Sequence, residues 1–319
     1  MFDVVTLGET MLRLTPPGLE RLERTRTLDV HSGGSESNTA VALSRLGSRV
    51  CWLSRLPDNP LADLVCGEIA RFGVDIRYVV RAQGERIGTY YYEPARAPRN
   101  SRVFYDRADS ASARMRPEDL PAAPFQHGIS RLFHTTGITV AISETARATA
   151  RAAVDRARDA SMRICFDVNH RQTLWSPTEA RNHYDEWLAL SDLVFVAERD
   201  VALLWPELST AVDLHRRCPG ATLVITRGAE GSIAVTPENR EFRQAAFEAT
   251  EVERLGRGDA FSGGFIHQWL ATDGDVGEAL RWGAAVAALK FAMPGDMALV
   301  TPDEVRSVIE GGGQTQVQR

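Results

Sequence analysis

The chain has 319 residues, of which 44% are hydrophobic, a formal net charge of -5 and a pI near 5.9. That length and apolar content suffice for one large α/β domain or two smaller ones and argue against disorder. The acidic balance, without a run of five like charges, leaves no basic footprint for nucleic acid and favours a small-molecule partner.

The first strand is expected at 3–7. No basic segment precedes it and its apolar run breaks at Gly8-Glu9, which excludes a secretory leader or membrane anchor and implies a cytoplasmic protein. A polar stretch leads to Ser32-Gly33-Gly34-Ser35-Glu36-Ser37-Asn38, then a helix near 39–46 ended by Gly47 and a strand at 49–56. The next helix, 60–72, has Asp58 or Asn59 as cap, Pro60 in its first turn and Gly73 beyond its end. This βαβ rhythm breaks at 86–108, where Thr89-Tyr90-Tyr91-Tyr92-Glu93 and 101–106 read as two strands of a small flap. The 11–32 segment supplies its partner strands, because a lone hairpin is marginal in water.

From residue 131 strands and helices alternate again: strands at 131–138, 163–168, 192–196 and 222–227, with helices near 143–161 and 177–190. Ser176-Pro177-Thr178-Glu179 and Thr301-Pro302-Asp303-Glu304 are capping-box patterns. Right-handed crossovers then give a mostly parallel sheet covered by helices on both faces. The glycine-rich end, 311–319, reads as a disordered tail. Cys51, Cys66, Cys165 and Cys218 form no CxxC pair and are expected to be buried thiols.

Lys290 is the only lysine among 37 basic residues, which excludes a Walker A loop and a protein-kinase strand lysine. A phosphate must therefore be held by arginine or by backbone N–H groups. The segment from Leu255 to Phe265, with Gly256, Arg257, Gly258, Asp259, Gly263 and Gly264, is a glycine turn entering an amphipathic helix. Unpaired N–H groups and the helix dipole make such a start an anion site. Asp259 at its edge either accepts a proton from a hydroxyl attacking a phosphoryl group or is an ordinary cap. The earlier turn around Gly33 and Gly34 either lets backbone approach a ligand, with Asn38 bonding its hydroxyls, or is a tight turn with a capping asparagine.

Together the two turns resemble the paired signatures of the ribokinase-like (PfkB) carbohydrate kinases. Gly8-Glu9-Thr10-Met11-Leu12-Arg13, Leu56-Pro57-Asp58-Asn59-Pro60, Tyr105-Asp106-Arg107-Ala108 and Phe166-Asp167-Val168-Asn169-His170-Arg171 resemble its 2-keto-3-deoxygluconate kinase branch. The resemblance implies a single domain over 1–319: a three-layer α/β sandwich with a mostly parallel central sheet and a β-sheet lid inserted near 11–32 and 86–108. It implies phosphorylation of the terminal hydroxyl of 2-keto-3-deoxygluconate by ATP, with Mg2+ carried on the ATP. Asp259 would be the base, with Gly256, Arg257 and Gly258 forming the anion turn. Gly33, Gly34, Asn38, Tyr90, Tyr105, Arg107, Arg171 and Asp296 would meet the sugar acid. Asn169, Arg171, Glu198, Thr226, Gly228, Gly231, Gly256, Gly258 and Gly283 would meet ATP, and no side chain is assigned as a protein metal ligand. Homodimerisation through the lid fits an exposed flap edge.

Four departures stand out, one of them Glu253 at a position where an aspartate is common. Ala197-Glu198-Arg199-Asp200 replaces the family's usual Asn-Glu-Glu-Asp, Arg257 replaces a small residue, and His170 stands where tyrosine is frequent. The alternatives are a kinase of a neutral sugar or nucleoside, and a non-catalytic sugar-acid-binding homologue. A dehydrogenase is disfavoured because no GxGxxG follows the first strand.

Overall fold

A computed structural model describes residues 1–311. Its main sheet has eight strands: β1 (Phe2–Leu7), β4 (Val50–Leu53), β9 (Ser130–Thr136), β10 (Arg163–Asp167), β11 (Leu193–Ala197), β12 (Thr222–Thr226), β13 (Ser232–Val235) and β14 (Glu241–Gln244), in the order β14-β13-β12-β11-β10-β9-β1-β4. The six from β4 to β12 are mutually parallel, and β13 and β14 extend the sheet antiparallel. A second sheet joins β2 (Met11–Thr15), β3 (Asp29–Gly33), β7 (Thr89–Glu93) and β8 (Arg102–Asp106) in the order β3-β2-β7-β8; β5 (Arg55–Pro57) pairs with β6 (Val80–Ala82) apart from both. The ten α-helices among the described residues are α1 (Ser35–Arg45), α2 (Pro60–Arg71), α3 (Gly137–Ala141), α4 (Glu144–Asp159), α5 (Pro177–Leu190), α6 (Glu198–Leu204), α7 (Ala211–His215), α8 (Arg257–Ala271), α9 (Val276–Phe291) and α10 (Pro302–Ile309).

Strand alternation divides the core. Val5, Leu7, Phe133 and Phe166 pack with Val154 of α4 and Trp187 of α5, while Val4, Leu132, Cys165 and Phe195 pack with Val41 of α1 and Phe265 of α8. Successive residues point to opposite faces, so a sheet buried on both sides reads as near-continuous apolar runs. Each fully buried Phe or Leu contributes roughly 1.5–3 kcal/mol.

Three boundaries differ from the sequence reading. Helix α1 begins at Ser35 rather than near 39, because Ser35, Glu36, Ser37 and Asn38 form a buried polar first turn whose side chains find partners across the molecule. The expected strand at 49–56 is two: beyond β4 the chain leaves the main sheet, and Arg55 pairs with Glu85 and Asp119. The strand expected at 131–138 ends at Thr136, whose hydroxyl caps α3. At Ser176 only half of the capping box forms, Ser176 Oγ accepting from Glu179 N–H, whereas the Thr301 box is complete.

The close approach that builds the site is between α8 and its neighbours. A Cβ at Gly263 would lie 2.7 Å from Ala42 of α1, and one at Gly264 2.8 Å from Val286 of α9, so these glycines let three helices close together and bring the start of α8 against the first turn of α1. The four cysteines are free and buried, and no helix among the described residues is long and apolar enough to cross a membrane. The expected tail at 311–319 lies, apart from Gly311, outside the described residues.

Candidate active site

The site lies where the parallel strands end: Gly8 and Glu9 follow β1, Asp167 closes β10, Glu198 follows β11, and Thr226 closes β12. In an open α/β sheet these carboxyl ends face the ligand crevice.

Asp259, in the first turn of α8, is at its centre. Its Oδ1 accepts from Ser35 Oγ at 2.7 Å and its Oδ2 from Asn38 Nδ2 at 2.7 Å. Burial pushes its carboxyl up, and these two donors push it back. Gly256, the helix cap, has φ +72°, and a Cβ there would collide with the Asp296 carbonyl, so the turn demands glycine on both counts. Among the described residues the N–H groups of Gly256, Gly258 and Asp259 have no protein acceptor. That of Arg257 is taken by the Arg254 carbonyl at 3.4 Å, so the free donors are not quite the run expected.

In the loop after β10, Asn169 is left-handed, with φ +34°, and its Nδ2 donates to Ser35 Oγ at 2.8 Å. Arg171 is half-buried and has no ion-pair partner among the described residues, although its charge acts on Asp259, Asp167 and Asp200. Burial, reinforced by Asp259 and Asp200, pushes Asp167 up to about 8. A lone free guanidinium facing three carboxyl groups suits a polyanion whose charge it shares with the N–H groups of α8. No group of three or more metal-ligating side chains occurs among the described residues.

The lid covers the other side. Tyr90 Oη donates to Asp296 Oδ2 at 2.6 Å, and Tyr90 packs on Tyr105 at 5.9 Å between ring centroids. Gly33 faces Tyr90 and Asp296, and Gly34 faces the backbone of Glu9 and Thr10, so the glycine pair lets lid and core meet. Asn38, expected at the sugar, has its amide on Asp259. Arg107, also expected there, is paired through Nε (2.9 Å) and Nη2 with Glu9, which leaves Nη1 unclaimed among the described residues.

The expected nucleotide residues divide. Thr226, Gly228 and Gly231 form the β12–β13 hairpin; a Cβ on Gly228 meets open space, whereas Gly231 is pressed against the backbone of Gln244. Glu198 is tied to Arg227 at 2.8 Å, and Gly283 packs against Phe261 where α8 and α9 cross. Arg257, expected as part of the anion turn, turns its side chain away to donate through Nη2 to the Gly228 carbonyl at 2.8 Å and lies over Phe291.

Arg13 went unassigned in the sequence. It is buried and bonded to Glu253 and Asp296, with its guanidinium 4.5 Å from the Tyr92 ring centre. The available signal was a charge in the middle of the apolar strand Met11-Leu12-Arg13-Leu14. Ser35 had no signal of its own.

Comparison with known proteins is consistent along the chain. Residues 1–303 match the model of the pfkB family carbohydrate kinases. The 2-dehydro-3-deoxygalactonokinase of Haloferax volcanii is 42% identical over 314 residues, 97% of each chain. The 2-dehydro-3-deoxygluconokinase of Bacillus subtilis is 29% identical over 96% of this chain and 95% of its own. The crystal structure of 2-dehydro-3-deoxygluconokinase from Thermotoga maritima superposes with a TM-score of 0.89 at 29% identity, covering 97% of this chain and 98% of that one.

Proposed function

The chain belongs to the pfkB family of carbohydrate kinases, and on that premise we propose that it transfers the γ-phosphoryl group of ATP to the terminal hydroxyl of 2-keto-3-deoxygluconate. The observation that carries this reading is the buried Asp259 carboxylate beside free N–H donors at the start of α8. Asp259 takes the hydroxyl proton, the hydroxyl oxygen bonds to the γ-phosphorus, and the bond from that phosphorus to the β,γ-bridging oxygen breaks to release ADP. The N–H groups of Gly256 and Gly258 meet the charge on the transferring group. Arg171 takes phosphate oxygens, and Arg107, steadied by Glu9, turns Nη1 to the sugar carboxylate. Mg2+ would arrive bound to ATP, where it would neutralise phosphate charge. The reaction belongs in the cytoplasm, where ATP is supplied.

We also propose a homodimer through the lid. Val30, Leu14, Tyr91 and Phe104 are register partners across four strands and form an apolar row on the lid face opposite Arg13 and Tyr90. Phe104 and Val30 are 41% and 44% exposed, and Arg102 and Asp106 flank Phe104 with opposite charges. Two-fold apposition sets the arginine of one copy against the aspartate of the other.

The test is ADP release with 2-keto-3-deoxygluconate, its galactonate epimer, gluconate, fructose, ribose and a nucleoside. Turnover is expected on the keto-deoxy acids, with Asp259→Asn slower by about 100- to 10,000-fold. An unaffected Asp259→Asn would remove the base assignment, and binding of the sugar acid without turnover would leave a sensor.

A further inference from the structure

The contacts of Asp259 form a directed chain. Asn169 Nδ2 donates to Ser35 Oγ at 2.8 Å, and Ser35 Oγ donates to Asp259 Oδ1 at 2.7 Å. A serine hydroxyl carries one proton, so an oxygen that accepts from Asn169 still has that proton for Asp259. Asn38 holds the other carboxylate oxygen at 2.7 Å, and each oxygen retains a lone pair for an incoming hydroxyl. Ser35 is buried at the first position of α1, and the left-handed backbone of Asn169, a conformation asparagine tolerates, turns its amide onto it. Three segments distant in sequence thus meet on one hydroxyl group.

We propose that Ser35 is a positioning residue for phosphoryl transfer: its hydroxyl, itself held by Asn169, aims the Asp259 carboxylate at the acceptor hydroxyl. This rests on the reading of Asp259 as general base. The charged groups acting on Asp259 from the surrounding elements are Asp167 at the end of β10, Arg171 in the loop after it, Glu36 on α1, Lys290 on α9 and Asp296 in the segment before α10. None of them is altered in the variants below, so a change in titration reports the serine alone.

The experiment is the pH profile of kcat/KM for the keto-deoxy acid in wild type, Ser35→Ala, Ser35→Thr and Asp259→Asn. A donor to the charged form lowers the base's pKa, so Ser35→Ala is expected to move the acid limb to higher pH by about one unit and to lower the plateau about tenfold, with the KM for ATP little changed. Ser35→Thr keeps the hydroxyl and is expected to restore the limb. An inactive Asp259→Asn beside a Ser35→Ala enzyme with a wild-type limb and plateau would leave the base in place and overturn the role of Ser35. Alanine and threonine variants sharing one displaced limb would overturn it as well. An Asp259→Asn enzyme running at the wild-type rate would instead remove the base assignment itself.

Discussion

Glu36 is sealed inside the protein on the first turn of α1. Its Oε1 accepts from Thr136 N–H at 3.0 Å, Thr136 Oγ1 at 2.8 Å and Thr139 Oγ1 at 2.7 Å, while Oε2 has no partner among the described residues. Burial, with Asp259 adding to it, pushes the carboxyl up from 4.5 to about 7. The folded state therefore holds a proton that the unfolded state releases between these values, and stability falls as pH rises through that window. Glu36→Gln keeps the accepting oxygen and removes the titration. Denaturant unfolding at pH 5 and pH 8 is expected to show the wild type losing up to about 3 kcal/mol that the variant keeps; equal pH dependence in both would refute this. Sequence showed Asp259 because glycines frame it. It could not show Glu36 or Ser35, whose roles depend on partners about 100 and 224 residues away.

The lid sheet is attached to the core mainly through side chains. Arg13 reaches Glu253 and Asp296, Tyr90 reaches Asp296, and Arg107 reaches Glu9, so buried charge pairs latch both sides of the sheet. Removing one partner of a buried pair strands the other. Arg13→Ala leaves two carboxylates without their cation and is expected to lower stability by about 3–5 kcal/mol in urea unfolding, with a raised KM for the sugar acid. A loss below about 1 kcal/mol would show the latch to be dispensable. Strands β7 and β8 were legible, since an aromatic and β-branched run between turn residues marks them, whereas β2 and β3 were expected only somewhere within 11–32. The start of α1 was not, because Ser35 to Asn38 read as a polar turn until their buried partners are known.

At the scale of the whole molecule, the apolar row on the outer lid face is expected to join two copies. Sedimentation of the wild type should give a dimer and Phe104→Glu a monomer, because the charge falls in the centre of the row; a wild-type monomer at micromolar concentration would end the proposal. A mostly parallel sheet covered by helices followed from sequence: alternating apolar periods, caps and glycine turns are local properties, and right-handed crossovers leave few ways to assemble them. The two glycine motifs likewise marked segments that the fold brings together at Asp259. What only the tertiary structure decided was which groups are free. Among the described residues Arg171 has no ion-pair partner while Arg107 and Glu198 are paired, and Arg257 lies across the β12–β13 hairpin. Asn38 and Ser35 both serve the Asp259 carboxylate. A side chain's type is written in the chain, but its availability depends on hydrogen-bond and charge partners that only folding brings within about 3 Å.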